Sequence, residues 1–312
     1  MLRFVSTLLV LLTSARALWA EPLDPRQVPA AAAWFVHLDA DAARSSLIGQ
    51  RLRDLWLSRP QSARMLEQAR ETFGIDPARD IRSITVYGTS YTPDSGVVIA
   101  RGKVDQPRLT AFLGKLPGYR VEPSAGHTIY YWTETDPNRR HQSAGAFFGD
   151  DTVVIAPDGP AVLSALAVLE GKSPGLSRHS PLSSDIIAAG AILQAAAAGL
   201  AEAKGLTIQS PVVRQCQSGS FTIGESAGQM ILRGRVVTDS SDTAAKICKF
   251  IEGARAMAEL QTPDNPELSN LLHPLKVTSD DKTVEVQWQY SSLQVVKIIQ
   301  AELARATAGE KK

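Results

Sequence analysis

Residues 81–116, IRSITVYGTSYTPDSGVVIARGKVDQPRLTAFLGKL, constrain the fold more than any other stretch of the chain. Ile84 and Val86, then Val97 and Ile99, form two short β-branched runs, and the TPDSG between them is turn chemistry, so a hairpin is predicted. Pro107 stands where a helix can begin. Leu109, Phe112, Leu113 and Leu116 follow at helical spacing and give that helix one apolar face.

The flanks read in the same terms. Residues 31–38, AAAWFVHL, predict a short buried strand, and Asp39 or Asp41 can cap a following helix whose apolar stripe is Leu47, Ile48, Leu52, Leu55 and Trp56. Pro60 breaks that helix, and a second one over 62–73 ends at Gly74. Residues 119–132 and 146–156 each predict a hairpin, 137–141 a polar loop, and 161–169 a short helix ended by Gly171.

Residues 171–184, rich in Ser, Pro and Gly, look like a connection, and the chain beyond them resembles the chain before them. Residues 188–203 take the place of the first strand and helix, and are expected as a buried strand plus an Ala-rich helix. The run Ile99-Ala-Arg-Gly-Lys-Val104 is matched by Ile231-Leu-Arg-Gly-Arg-Val236, and 121–132 by 277–288, each ending in Trp. The expected fold is therefore α+β, two similar halves arising by diverged duplication, with antiparallel sheets covered by helices on one face. The expected division is a signal peptide over 1–20, a first half over 21–176 and a second over 177–312.

A chain of 312 residues with 44% hydrophobic and 21% charged residues can bury a substantial core. The N-terminus carries a basic residue, an apolar run over 4–12 and small residues before Glu21-Pro22, which is the layout of a secretory signal, with cleavage after Ala17 or Ala20. The run is shorter than the roughly 20 residues needed to span a bilayer, and no Cys follows it to carry a lipid. An exported protein, periplasmic or secreted and soluble after cleavage, is expected. Removing 1–20 leaves 31 basic against 32 acidic residues, so no field is available to draw in nucleic acid. Export lets thiols pair, and Cys216 with Cys248 are either a disulfide or two buried thiols.

Residues Gly224-Glu225-Ser226-Ala227-Gly228 match the G-x-S-x-G of serine hydrolases, and His273 lies downstream with Asp264 or Glu267 before it. That chemistry needs the serine on a sharp turn between a strand and a helix, whereas residues 229–237 read as a second strand, which places Ser226 at a hairpin turn. His37, alone within a strand, reads as a packed side chain. Two Cys and five scattered His make no metal site, no cofactor motif is present, and the paired aspartates 150–151 and 280–281 fall in turns. The function expected is thus a non-catalytic binding or scaffolding role in the periplasm or cell envelope, through an open sheet face or the groove between halves, with an envelope protein or peptide as candidate partner. The alternative is an esterase-like hydrolase using Ser226 and His273.

WFVHLDADAARSSLIGQRL, FGIDPARDIRSITVYGT, GVVIARGKVD and GAFFGDDTVVIA together resemble a group of uncharacterised exported bacterial proteins of unknown function. The resemblance covers about half the chain, mainly its first half, and rests on turn and packing residues. It implies the fold and export, argues against an esterase, and brings no activity, cofactor or site residue with it; no characterised family is matched.

Overall fold

The structure, a computed structural model, describes residues 22–92, 95–134, 142–177, 179–182, 190–203, 212–261 and 266–309. The predicted signal segment and the loop at 137–141 lie outside the described residues.

After a short 3-10 turn, β1 (Trp34–Asp39) runs directly into α1 (Ala40–Ser45), because the Asp39 carboxylate accepts from Ala42 N at 2.7 Å and caps the helix. Ser46 then ends α1 and, accepting from Gly49 N at 2.9 Å, starts α2 (Leu47–Leu57), so the one helix predicted here is two. α3 (Pro60–Phe73) begins on Pro60 and stops at Gly74, whose φ of 70° favours a residue without Cβ. A single turn, α4 (Pro77–Asp80), leads into β2 (Ile81–Gly88), β3 (Val97–Gly102) and α5 (Gln106–Leu113), the predicted hairpin and helix. β4 (Arg120–Ser124), β5 (His127–Thr133), β6 (Gln142–Phe148), β7 (Thr152–Ala156) and α6 (Gly159–Leu169) complete the first part. The second part contains β8 (Ala191–Ala198), β9 (Cys216–Ser226), β10 (Gln229–Thr238), α7 (Ser241–Gln261), α8 (Pro266–Leu272), β11 (Lys276–Asp280), β12 (Thr283–Ser291) and α9 (Ser292–Gly309).

All twelve strands among the described residues form one antiparallel sheet in the order β11-β12-β10-β9-β8-β1-β2-β3-β7-β6-β5-β4, which makes this an α+β fold. Outward from the central β1–β8 ladder the order is alike on the two sides, except that the first half has a further hairpin. Ile99 and Ile231, matched in sequence, fall on β3 and β10, each two strands out from that ladder. The match of Trp132 with Trp288 is not kept: Trp132 lies on β5, three strands beyond β3, whereas β12 lies directly against β10, where β7 is the strand in the equivalent place.

One face of the sheet, here the inner face, carries Phe35, Tyr87, Ile99, Ile129, Val154 and Ala196, closed over by Val162 and Leu166 of α6. In the first half the other face is apolar as well, since Val98 and Val153 alternate with Val97 and Val154. α5 therefore stands over that second face. Helices thus lie on both faces of the first half, where one covered face was expected. A further departure concerns residues 191–198, which are all strand and lead to a 3-10 turn at Leu200–Glu202 in place of an Ala-rich helix. β1 and β9 bond both edges of this segment, and that outweighs alanine's helical preference.

Candidate functional site

The sheet register assembles a feature that no single strand displays. Reading across the ladders, Val277, Val286, Gly234, Phe221, Ala195 and Val36 stand opposite one another in turn. The row continues through Val86, Val98, Ile155, Gly145, Tyr130 and Val121, one residue from each of the twelve strands. Directly opposed residues in antiparallel pairs point to the same side, so the row crosses one face, the outer face, from edge to edge. Beside it runs a second apolar row, Trp288, Leu232, Ile223, Leu193, Leu38, Ile84, Ala100, Val153 and Phe147. Over the second half the inner face differs sharply, with Arg233, Thr222 and Gln194 in successive strands.

Helices cover the outer face only in places. Ile48 of α2 and Val295, Val296 and Ile299 of α9 pack over Met230, Trp288 and Tyr290 at one end. α5 stands over the other end, capped by Asp105, which accepts from Arg108 N at 3.1 Å. It is held by an edge-on contact of Phe112 with Phe73 of α3 at 5.0 Å, and none of its own residues is buried. Between α5 and the sheet a cleft of about 250 Å³ remains, walled by Leu109, Phe112 and Leu113 on one side and Tyr130, Trp132, Phe147 and Ile155 on the other. In the middle of the sheet lies an open trough of about 520 Å³. Its floor is low because Ala195, Ala197, Gly219 and Gly234 have little or no side chain, and Trp34, Val36, Phe221 and Val286 form its sides. Val36, Phe221 and Ile155 are 38%, 41% and 37% exposed although they sit on a sheet face, so this apolar surface is open to water.

The residues singled out in the sequence are placed elsewhere. Ser226 ends β9 and pairs with Gln229 across a two-residue turn in which Ala227 and Gly228 have φ of 49° and 71°. Two successive positive φ values are the tight hairpin turn that fits strand twist, so the glycine and small residues of the motif serve the turn. Among the described residues no hydrogen bond joins Ser226 to His273, which follows α8. Glu225 is structural, since its carboxylate oxygens accept from Leu47 N and Ile48 N, each at 3.1 Å, and hold the N-terminus of α2.

Cys216 and Cys248 are both free thiols. Of the two readings open from the sequence, the pair of buried thiols is the one found: the Cys216 thiol is turned to the Val212 carbonyl, donating at 3.2 Å, and Cys248 sits on a helix that packs mainly on β11 and β12. Burial, and to a lesser degree Asp239, pushes the Cys216 thiol pKa up, so it is not an activated nucleophile. His37 is wholly buried with Nδ1 2.8 Å from Thr85 Oγ1, and that hydroxyl donates to Gln27 Oε1 at 2.8 Å. Thr85 therefore accepts from His37 Nδ1–H, and the histidine is a packed side chain as expected. Asp151 pairs with Arg82 and, at 3.7 Å, with Arg101.

Among the described residues no group of His, Cys, Asp and Glu is arranged to hold a metal, and no helix is long and apolar enough to cross a membrane. No family model and no curated protein matches the chain. Among solved structures, crystal form III of TP0453 is similar at 8% identity and a TM-score of 0.49, covering 90% of this chain and 98% of that one. Form IV gives 7% and 0.46 over 90% and 96%, and form I 7% and 0.47 over 89% and 97%.

Proposed function

We propose that this chain is an exported, non-catalytic binding protein whose ligand is an apolar molecule held on the outer face of the sheet, first of all in the cleft beneath α5. The observation that carries the proposal is the cleft itself. It is walled by aromatic and aliphatic side chains, contains no charged side chain, and is roofed by a helix none of whose residues is fully buried. Apolar surface in such a place is worth about 25 cal/mol for each Å² that a ligand removes from water. Export rests on the N-terminal layout, and the halves 21–176 and 177–312 are proposed to meet at the β1–β8 ladder. The non-catalytic reading is supported by the turn geometry at Ser226 and by the contacts of Glu225 with α2.

The test is a titration of the mature protein with an environment-sensitive apolar fluorophore. Saturable binding is expected, lost in Ile155→Lys and kept in Phe250→Gln, which alters an exposed residue of α7 instead. Absence of saturable binding, or equal binding by both variants, would overturn the proposal.

A further inference from the structure

The cleft beneath α5 and the central trough lie on the same face and along the same cross-strand row. In the row between them stand Val86 of β2 and Val98 of β3, both half-buried and apolar. With strands about 4.8 Å apart, β1 to β7 is three spacings, or roughly 14 Å, and Phe221 on β9 to Ile155 on β7 is five, or roughly 24 Å. The first distance is close to the depth of acyl chains in one leaflet, half of a hydrocarbon core about 30 Å thick.

The lining chooses the chemistry of the molecule that lies along the row. An extended peptide would bring an N–H and a C=O per residue against side chains that cannot bond them, at several kcal/mol for each pair left unmet, roughly 2–7 per group. A helix satisfies its own backbone but is about 10–12 Å across, too wide for a cleft of about 250 Å³ under α5. Charged groups of the neighbouring strands, Arg233 of β10 and Glu285 of β12, alternate onto the opposite face, as does Arg235, which borders the trough beside Gly234. What remains is a slender chain without hydrogen-bonding groups. At about 30 Å³ for a water-sized unit, the cleft admits roughly eight methylenes and the trough, at about 520 Å³, roughly seventeen.

Resting on the reading of the cleft as a ligand site, we infer that the ligand is a single long hydrocarbon chain laid across the strands, from the cleft beneath α5 over Val98 and Val86 into the trough beside Val36. The cleft and the trough are two ends of one site. The trough's small-residue floor, Ala195 and Gly234, is the part that sets how long a chain is accepted.

The experiment is a set of titrations with saturated carboxylates of about 8 to 20 carbons, following Trp132 in the cleft and Trp34 at the trough. Each added methylene is expected to tighten binding about fourfold, and the gain is expected to continue beyond roughly ten carbons at one chain per protein. Long chains are expected to perturb both tryptophans, resolved with Trp34→Phe. In Val98→Gln, binding of the short members is expected to be kept while the gain with length stops. Should that variant not fold, the wild-type series decides alone. Affinity that levels off near eight to ten carbons, with Trp34 unmoved, would overturn the inference and leave the cleft as a site for compact apolar molecules. No binding at any length would overturn both.

Discussion

Replacing Glu225 by Ala should destabilise the protein, whereas replacing its neighbour Ser226 should not. Glu225 is part of the hairpin β9–β10, yet its two oxygens bond Leu47 N and Ile48 N, 178 and 177 residues earlier in the chain, at 3.1 Å each. Bonds to a charged acceptor contribute about 1.5–3 kcal/mol, and a carboxylate at a helix N-terminus adds about 0.3–1. The Leu47 bond is exposed and the Ile48 bond partly buried, which places the combined loss toward the lower end, about 1.5–2 kcal/mol. Ser226 is exposed at the turn, and its loss should stay within about 0.5 kcal/mol. Urea unfolding of the two variants measures both, and a fluorophosphonate probe applied to wild type and Ser226→Ala asks whether the serine reacts. If Glu225→Ala unfolds at the wild-type midpoint while labelling is lost with Ser226, the motif is catalytic and the structural account of it is wrong.

Other consequences stem from single contacts. A Cβ at Gly159 would stand 2.1 Å from the Tyr131 hydroxyl, so Gly159→Ala should lower stability by about 1–3 kcal/mol in a denaturant melt, less in the Tyr131→Phe background. Both amide atoms of Gln194, 1% exposed, lack a partner among the described residues, and Gln194→Met should be neutral or stabilising by up to about 2 kcal/mol in the same assay. Burial raises the Tyr87 phenol pKa to about 12. The unfolded chain ionises there first, so stability is full below about pH 10 and falls as pH rises toward 12, and Tyr87→Phe should flatten that fall in a pH series of melts.

Much of the first half was legible because its signals are local. Pro107 and the spacing of Leu109, Phe112 and Leu113 mark α5 and the face it turns toward the cleft, and Gly74 and Gly171 mark helix ends by their positive φ. The sheet-wide row was not legible, because it is a property of register. Val36, Val86, Val98 and Ile155 become neighbours only through ladders that join residues far apart in the chain, and nothing in β1 alone says that β8 is its partner. The alternation within β7 did carry a trace of the site, since Val153 and Ile155 are apolar as well as Val154, which means that both faces must be covered or used. The Ala-rich segment misled for a related reason: small side chains favour a helix locally, but here Ala195 and Ala197 keep the trough open in a central strand. Cys216 and Cys248 illustrate the limit of pairing by sequence, since a strand start and a helix face can each be buried without meeting.

Whether the outer face takes an apolar ligand is tested most directly by hydrogen exchange of the protein with and without a long saturated carboxylate. α5 has no fully buried residue and should exchange readily alone, since helices with few buried contacts open at low cost. The ligand is expected to slow exchange over Gln106–Leu113, and along β7 and β1 beneath the row, while α7 is unchanged. Exchange that is the same with and without ligand throughout the chain, or slowed only around Ser226 and His273, would contradict a ligand site on this face.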